Sequence, residues 1–195
     1  MSRSDTAQTI LHAARRLLDE GGVSGVSMRK VAERAGITAM AIYRHFPDHK
    51  ALLNALADQG FAALAQTLRA GVPAEPPVLD RMETVIGVYL DFALAHPHLF
   101  ELMFMASRPG ARQFPHDFEA GLSPTANLYA DILRQGIAEG LIRGGEDIWE
   151  ITFETGALMQ GMVMLYLGGR IDLDADGFRA LVRRSLRRYI HGILV

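Results

Sequence analysis

Residues 27–46 read SMRKVAERAGITAMAIYRHF. Ser27 is placed to cap a helix, because its hydroxyl can accept a hydrogen bond from a backbone N–H that the first turn leaves orphaned. Met28, Val31, Ala32 and Ala35 recur at helical spacing and give that helix one apolar face. Gly36 stops it, since glycine takes a left-handed φ without steric cost. Ile37 fills the corner and Thr38 caps a second helix, on which Ala41, Ile42 and Phe46 turn inward. Ala39, Met40, Tyr43 and Arg44 share the opposite face by i, i+3 and i, i+4 spacing. A short helix with an apolar back and a Tyr/Arg front fits the second helix of a helix-turn-helix, which lies in the major groove of DNA.

The flanks extend this pattern. A helix is predicted over Thr6–Glu20, with Ala7, Ile10, Leu11, Ala14, Leu17 and Leu18 as a continuous apolar stripe. Asp5 and Gln8 have the spacing of a capping box at its start, and Gly21-Gly22 ends it. Packed on residues 27–46, this helix completes a three-helix core. Pro47-Asp48 caps a long helix over His49–Ala70. The stripe, the glycine pair, Ser27-Met28-Arg29, Val31-Ala32, Ala35-Gly36-Ile37-Thr38, Ile42-Tyr43-Arg44-His45-Phe46 and Ala51-Leu52-Leu53 together resemble the DNA-binding domain of TetR-family transcriptional regulators.

That resemblance covers about a third of the chain and carries several expectations. The fold is all-α, with an N-terminal three-helix helix-turn-helix domain (1–48) and a larger helical-bundle domain for ligand binding and dimerisation (49–195). The partners implied are double-stranded operator DNA, a small-molecule effector and a second copy of the chain. The last two helices would pair with their copies as a four-helix interface, with Leu186 and Ile190 expected there. The function implied is transcriptional regulation, most often repression, relieved when an effector shifts the long linking helix. A helical enzyme, or a ligand-binding protein with a vestigial DNA-binding domain, is the alternative.

Composition is compatible with this reading. Of 195 residues, 49% are hydrophobic, enough for a sizeable core. Residues 1–46 hold seven lysines and arginines against four acids, and the remainder holds thirteen against eighteen. A basic end on an acidic body suits DNA contact by one end. There is no cysteine, which excludes disulfides and thiolate metal sites. The first residues lack the apolar core of a signal peptide, and the longest apolar run, 155–169, is short for a membrane span. A cytoplasmic protein is expected. Gly21, Gly22 and Gly25 form no phosphate loop, because no strand precedes them and no Gly-Lys-Ser/Thr follows.

Beyond the Pro-rich linker at 71–77, helices are predicted over Val78–His96 and Pro97–Ala106. A loop follows at 107–117. The next helix covers Phe118–Glu139, with a break near Pro124. Glu146–Leu167 is apolar nearly all round and is expected to be buried on more than one side. Asp174–Ile193 closes the chain. Its arginines at 179, 183, 184, 187 and 188 read as a solvated face or as partners for acids.

For DNA, backbone N–H groups near Ser27 and Thr38 can donate to phosphates. The hydroxyls of Ser27, Thr38 and Tyr43 add to these, with Arg29 and Lys50. Arg44 can pair with guanine or phosphate, and Ala39 and Met40 can touch thymine methyls. The resemblance also carries His45 and His49. It departs from many relatives where Ala39 stands in place of a lysine, and where His49 precedes Lys50. For the effector, Tyr89, Phe92, His96, Met103, Tyr129, Met159 and Met162 are candidate lining, since methionine adapts to varied shapes. His96, His98 and His116 lack supporting carboxylate spacing, so no metal is expected. No nucleophile motif or cofactor signature is present, so no cofactor or enzymatic activity is expected.

Overall fold

A computed structural model of the chain describes residues 3–105, 108 and 110–195. Its elements are α1 (Arg3–Gly25), α2 (Met28–Ala35), α3 (Ala39–Tyr43), α4 (His49–Gly71), α5 (Val78–Ala95), α6 (Pro97–Met105), α7 (His116–Glu119), α8 (Pro124–Ala138), α9 (Ile148–Leu167) and α10 (Ala175–His191). Outside the helices, Ile142 and Leu194 form an isolated antiparallel bridge. The all-α expectation holds. The chain divides into two compact units, Met1–Ala62 with His96–Ala111, and Ala63–Ala95 with Arg112–Val195. This division differs from a cut after residue 48, because the start of α4 and all of α6 pack with the N-terminal helices.

In the first unit, the α1 stripe is buried as its periodicity predicts, with Ile10, Ala14 and Leu18 fully enclosed. Helix α1 begins at Arg3, so Asp5 lies in its first turn instead of capping it. Gly21 and Gly22 break the helical geometry, and Gly22 takes φ +62°, but helical bonding resumes to Gly25. Ser27 accepts from the Lys30 N–H at 3.3 Å, and Thr38 accepts from the Ala41 N–H at 3.2 Å. Between these caps Gly36 takes φ +67°, and its N–H donates back to carbonyls of α2. Asp48 caps α4 by accepting from the Ala51 N–H at 2.7 Å.

Helix α6 packs on both α1 and α4. At Gly60 the approach is so close that a Cβ would lie 2.6 Å from the Met103 sulfur. Phe61 and Phe104 meet edge to face at 5.1 Å. The Arg108 guanidinium lies over the Phe61 ring and donates to Asp58 at 2.8 Å. Its side chain is only 5% exposed, so the stacking and the ion pair act where water screens them poorly.

In the second unit, α5 contacts α8, α9 and α10 and buries Met82, Val85, Ile86, Tyr89, Leu90, Phe92 and Ala93. Asp147 caps α9 and Asp174 caps α10 through side-chain oxygens. Two α10 arginines reach α5. Arg187 forks onto both Glu83 oxygens at 2.7 and 2.9 Å, and Arg179 donates to Asp91 at 2.9 Å. The guanidinium beside Glu83 holds its carboxyl below the usual range.

The expected break near Pro124 is present: α7 ends at Glu119 and Pro124 starts α8 afresh, since proline cannot supply an interior N–H. Two expectations are corrected in this unit. Leu186 and Ile190 are 0% and 6% exposed inside the protomer, so they hold α10 to its own unit. Helix α9 is buried on one side only. Ile151, Thr155, Met159 and Val163 face inward, while Phe153 and Leu165 remain 43% and 46% exposed.

Gly36 has open space where a Cβ would stand, so the strain of Gly36→Ala is confined to the backbone. The substitution is expected to cost about 1–2 kcal/mol. Urea unfolding followed by circular dichroism measures this, and an unchanged midpoint would contradict it.

Candidate nucleic-acid interface

Helix α3 has five residues, too few to be stable alone. Its back supplies the anchor: Ile42 is fully buried and Phe46 is buried. Its front is turned to solvent. Met40 is 69% exposed and Tyr43 is 51% exposed, and Ala39 and Arg44 are exposed beside them. An exposed Met–Tyr pair is unusual unless something covers it, because large apolar side chains normally turn inward.

Around this face, Thr38, Arg29 and Lys50 are exposed, while Ser27 and His45 are half-buried. The Ser27 and Thr38 oxygens already accept from their own helices, which leaves each hydroxyl hydrogen for another acceptor. Arg34 is paired with Glu20 at 2.5 Å, and that contact holds the Glu20 carboxyl below its ordinary value.

His49 has a partner within the protein. Its Nε2 lies 3.0 Å from the Val26 carbonyl oxygen. A carbonyl only accepts, so Nε2–H donates, and the ring ties the start of α4 to the α1–α2 turn.

The candidate effector residues divide between the two units. His96 and Met103 belong to the first, and Met103 packs against Gly60 there. Tyr89, Phe92, Tyr129, Met159 and Met162 belong to the second, and all but the half-buried Met162 are buried. Burial raises the Tyr89 phenol, opposed by the Gln160 side chain. Burial also pushes the Tyr129 phenol up to about 12, opposed by Thr155. Thr155 and Gln160 were not among the sequence candidates. Their signal was available, because both are polar interruptions in the most apolar stretch of the chain.

The geometry so far defines a helix-turn-helix protein with a helical body. Residues 10–56 match the family described as bacterial regulatory proteins, tetR family, and residues 82–189 match the tetracyclin repressor-like C-terminal domain. The chain therefore belongs to the TetR family. It is 35% identical over 118 residues to the class A tetracycline repressor protein from transposon 1721 of Escherichia coli, covering 60% of this chain and 46% of that one. The nucleoid occlusion factor SlmA of Vibrio vulnificus is 28% identical over 102 residues, covering 52% of each chain. The chain thus spans about half the length of these curated relatives. Among solved structures, a protein of unknown function from Rhodococcus sp. RHA1 is 33% identical with TM-score 0.75 over 95% of both chains. FadR from Bacillus subtilis in complex with stearoyl-CoA shares the fold, with 18% identity and TM-score 0.74 over 95% of this chain and 98% of that one.

His49→Ala removes the tie to Val26 and is expected to destabilise the protein by about 1 kcal/mol in the absence of DNA. Thermal unfolding of the two proteins tests this. Identical transitions would return His49 to the set of simple surface contacts.

Proposed function

We propose that this chain is a DNA-binding transcriptional regulator, a repressor released from its operator by a small molecule. Residues 1–48 form its DNA-binding domain, and residues 49–195 form the ligand-binding and dimerisation domain. The observation that carries the reading is the exposed front of α3 on a buried Ile42–Phe46 back. Arg44 and Tyr43 contact base edges or phosphates, and Ala39 and Met40 lie against thymine methyls. Thr38, Ser27, Arg29, His45 and Lys50 position the helix on the backbone. His49 supports that arrangement through the Val26 carbonyl.

One short reading helix makes too little contact for specific binding, so the active form is a two-fold dimer. Its interface is built on α9 and α10. Phe153, Ala157, Gly161 and Leu165 follow one another at i, i+4 spacing and are all exposed. Nothing lies within 4 Å of a Cβ placed at Gly156 or Gly161, which leaves room for a helix of a second copy.

The effector binds among Tyr89, Phe92, Tyr129, Met159 and Met162. The stearoyl-CoA held by FadR supports an effector role for a body of this fold. To release DNA, the effector must favour the DNA-incompetent shape, since equal affinity for two states shifts neither. No catalytic role is assigned. No described helix is long and apolar enough to cross a membrane, and a cytoplasmic location fits a DNA-binding role.

The operator is found by selecting random duplexes with the purified protein. Tyr43→Ala and Arg44→Ala are each expected to weaken binding to the selected duplex by about 1–3 kcal/mol, with the helical circular dichroism unchanged. Failure to enrich any duplex, or unaltered affinity in both variants, overturns the reading. Ala157→Glu places a charge on the exposed α9 face without touching the protomer core. It is expected to yield folded monomers in sedimentation velocity, and a persisting dimer would move the interface elsewhere.

A further inference from the structure

Met40 is 69% exposed, more than any other large apolar side chain among the described residues except Val195 at the last position. Ala39 is exposed beside it. Arg29, Arg44 and Lys50 are exposed in the same helix-turn-helix and its flank, and their charge is complementary to phosphate. An apolar tip on a module carrying these cations suits the floor of a DNA groove, which phosphates border on either side.

What such a tip can read is narrow. The Thr38 oxygen next to it already accepts from the Ala41 N–H at 3.2 Å. Ala39 ends in a methyl group, and the Met40 thioether is at most a weak acceptor. In the major groove thymine differs from cytosine in two respects. Thymine shows an O4 acceptor where cytosine shows an N4 donor, and it carries a methyl group on C5. Ala39 and Met40 have nothing with which to tell that acceptor from that donor. They gain only by taking the methyl group out of water. A cytosine methylated on C5 offers the same group at the same place on the ring.

We infer that Ala39 and Met40 recognise the C5-methyl group of a pyrimidine and are indifferent to which pyrimidine carries it, so that 5-methylcytosine is read there as thymine is. This rests on the regulator assignment and deepens it, because methylation of a cytosine in the site would then strengthen binding without any effector. The unbranched Met40 side chain can settle on either base edge. Tyr43 and Arg44, three and four residues further on, keep hydrogen-bonding groups for the base pairs where donor and acceptor decide.

The test uses the full chain and the duplex it selects from a random pool. Each thymine of one half-site is replaced in turn by uracil, which removes the methyl group and nothing else. At one or two positions affinity is expected to fall about fourfold, the worth of one buried methyl group. At those positions the pair is then changed to cytosine–guanine, with and without a methyl group on the cytosine C5. The methylated form is expected to bind about fourfold more tightly than the unmethylated one. Met40→Ala should bring both ratios close to one with unchanged circular dichroism, and Met40→Leu should preserve them. The inference is overturned if no thymine is sensitive to loss of its methyl group, if the cytosine methyl adds nothing where the thymine methyl does, or if Met40→Ala leaves both ratios intact. The two comparisons on the unaltered protein decide the matter even if a variant fails to fold. A chain that selects a duplex but fails these comparisons loses only this inference. One that selects no duplex loses the regulator assignment, and this inference with it.

Discussion

The burial of Ile42 and Phe46 beneath a five-residue helix is the contact on which the N-terminal unit depends. A helix that short does not persist in water, because nucleation is costly and few bonds repay it. Helix α3 exists because Thr38 caps it and its back docks on its neighbours. Docking fixes its rotation about its own axis. Rotation then decides that Met40, Tyr43 and Arg44 face outward as a group. The composition of the front is thus free to vary while the back is not, and this separation lets one scaffold present different chemistry.

The second unit solves a related problem differently. Helix α9 has two apolar sides, and one protomer can cover only one of them. Thr155, Met159 and Val163 serve the interior, while Phe153 and Leu165 remain uncovered. Helix α10 is strongly amphipathic by contrast. It commits Phe178, Val182, Leu186 and Ile190 to its own core and uses Arg179 and Arg187 to reach acids on α5. Such exposed ion pairs add little stability individually, but they fix which side of α10 is left outward.

How much of this was legible in the sequence varied with the range of the forces involved. The helix-turn-helix was readable because its determinants are local: caps at Ser27 and Thr38, a left-handed glycine at 36, and one apolar residue per turn. Helix starts at Pro97 and Pro124 in the body were readable for the same reason, whereas the caps at Asp147 and Asp174 emerged from the structure. Which apolar side of α9 would be covered was not, because periodicity records amphipathicity and α9 has almost none. The placement of Leu186 and Ile190 at the dimer interface failed because an inward face and a partner-facing face carry the same residues. His49 was read from its neighbours in sequence, whereas its partner, Val26, lies 23 residues away.

The near-absence of cations on the front of α3 bears on how ionic strength would act on recognition. Phosphate contacts made by lysine and arginine release counterions and weaken steeply as salt rises. Contacts of Ala39 and Met40 with methyl groups release none. On the proposed reading, added electrolyte would erode hold on any duplex through Arg29, Arg44 and Lys50, while leaving discrimination among sequences largely in place. The nonpolar tip of the reading helix would thereby separate how tightly the protein grips from how well it chooses.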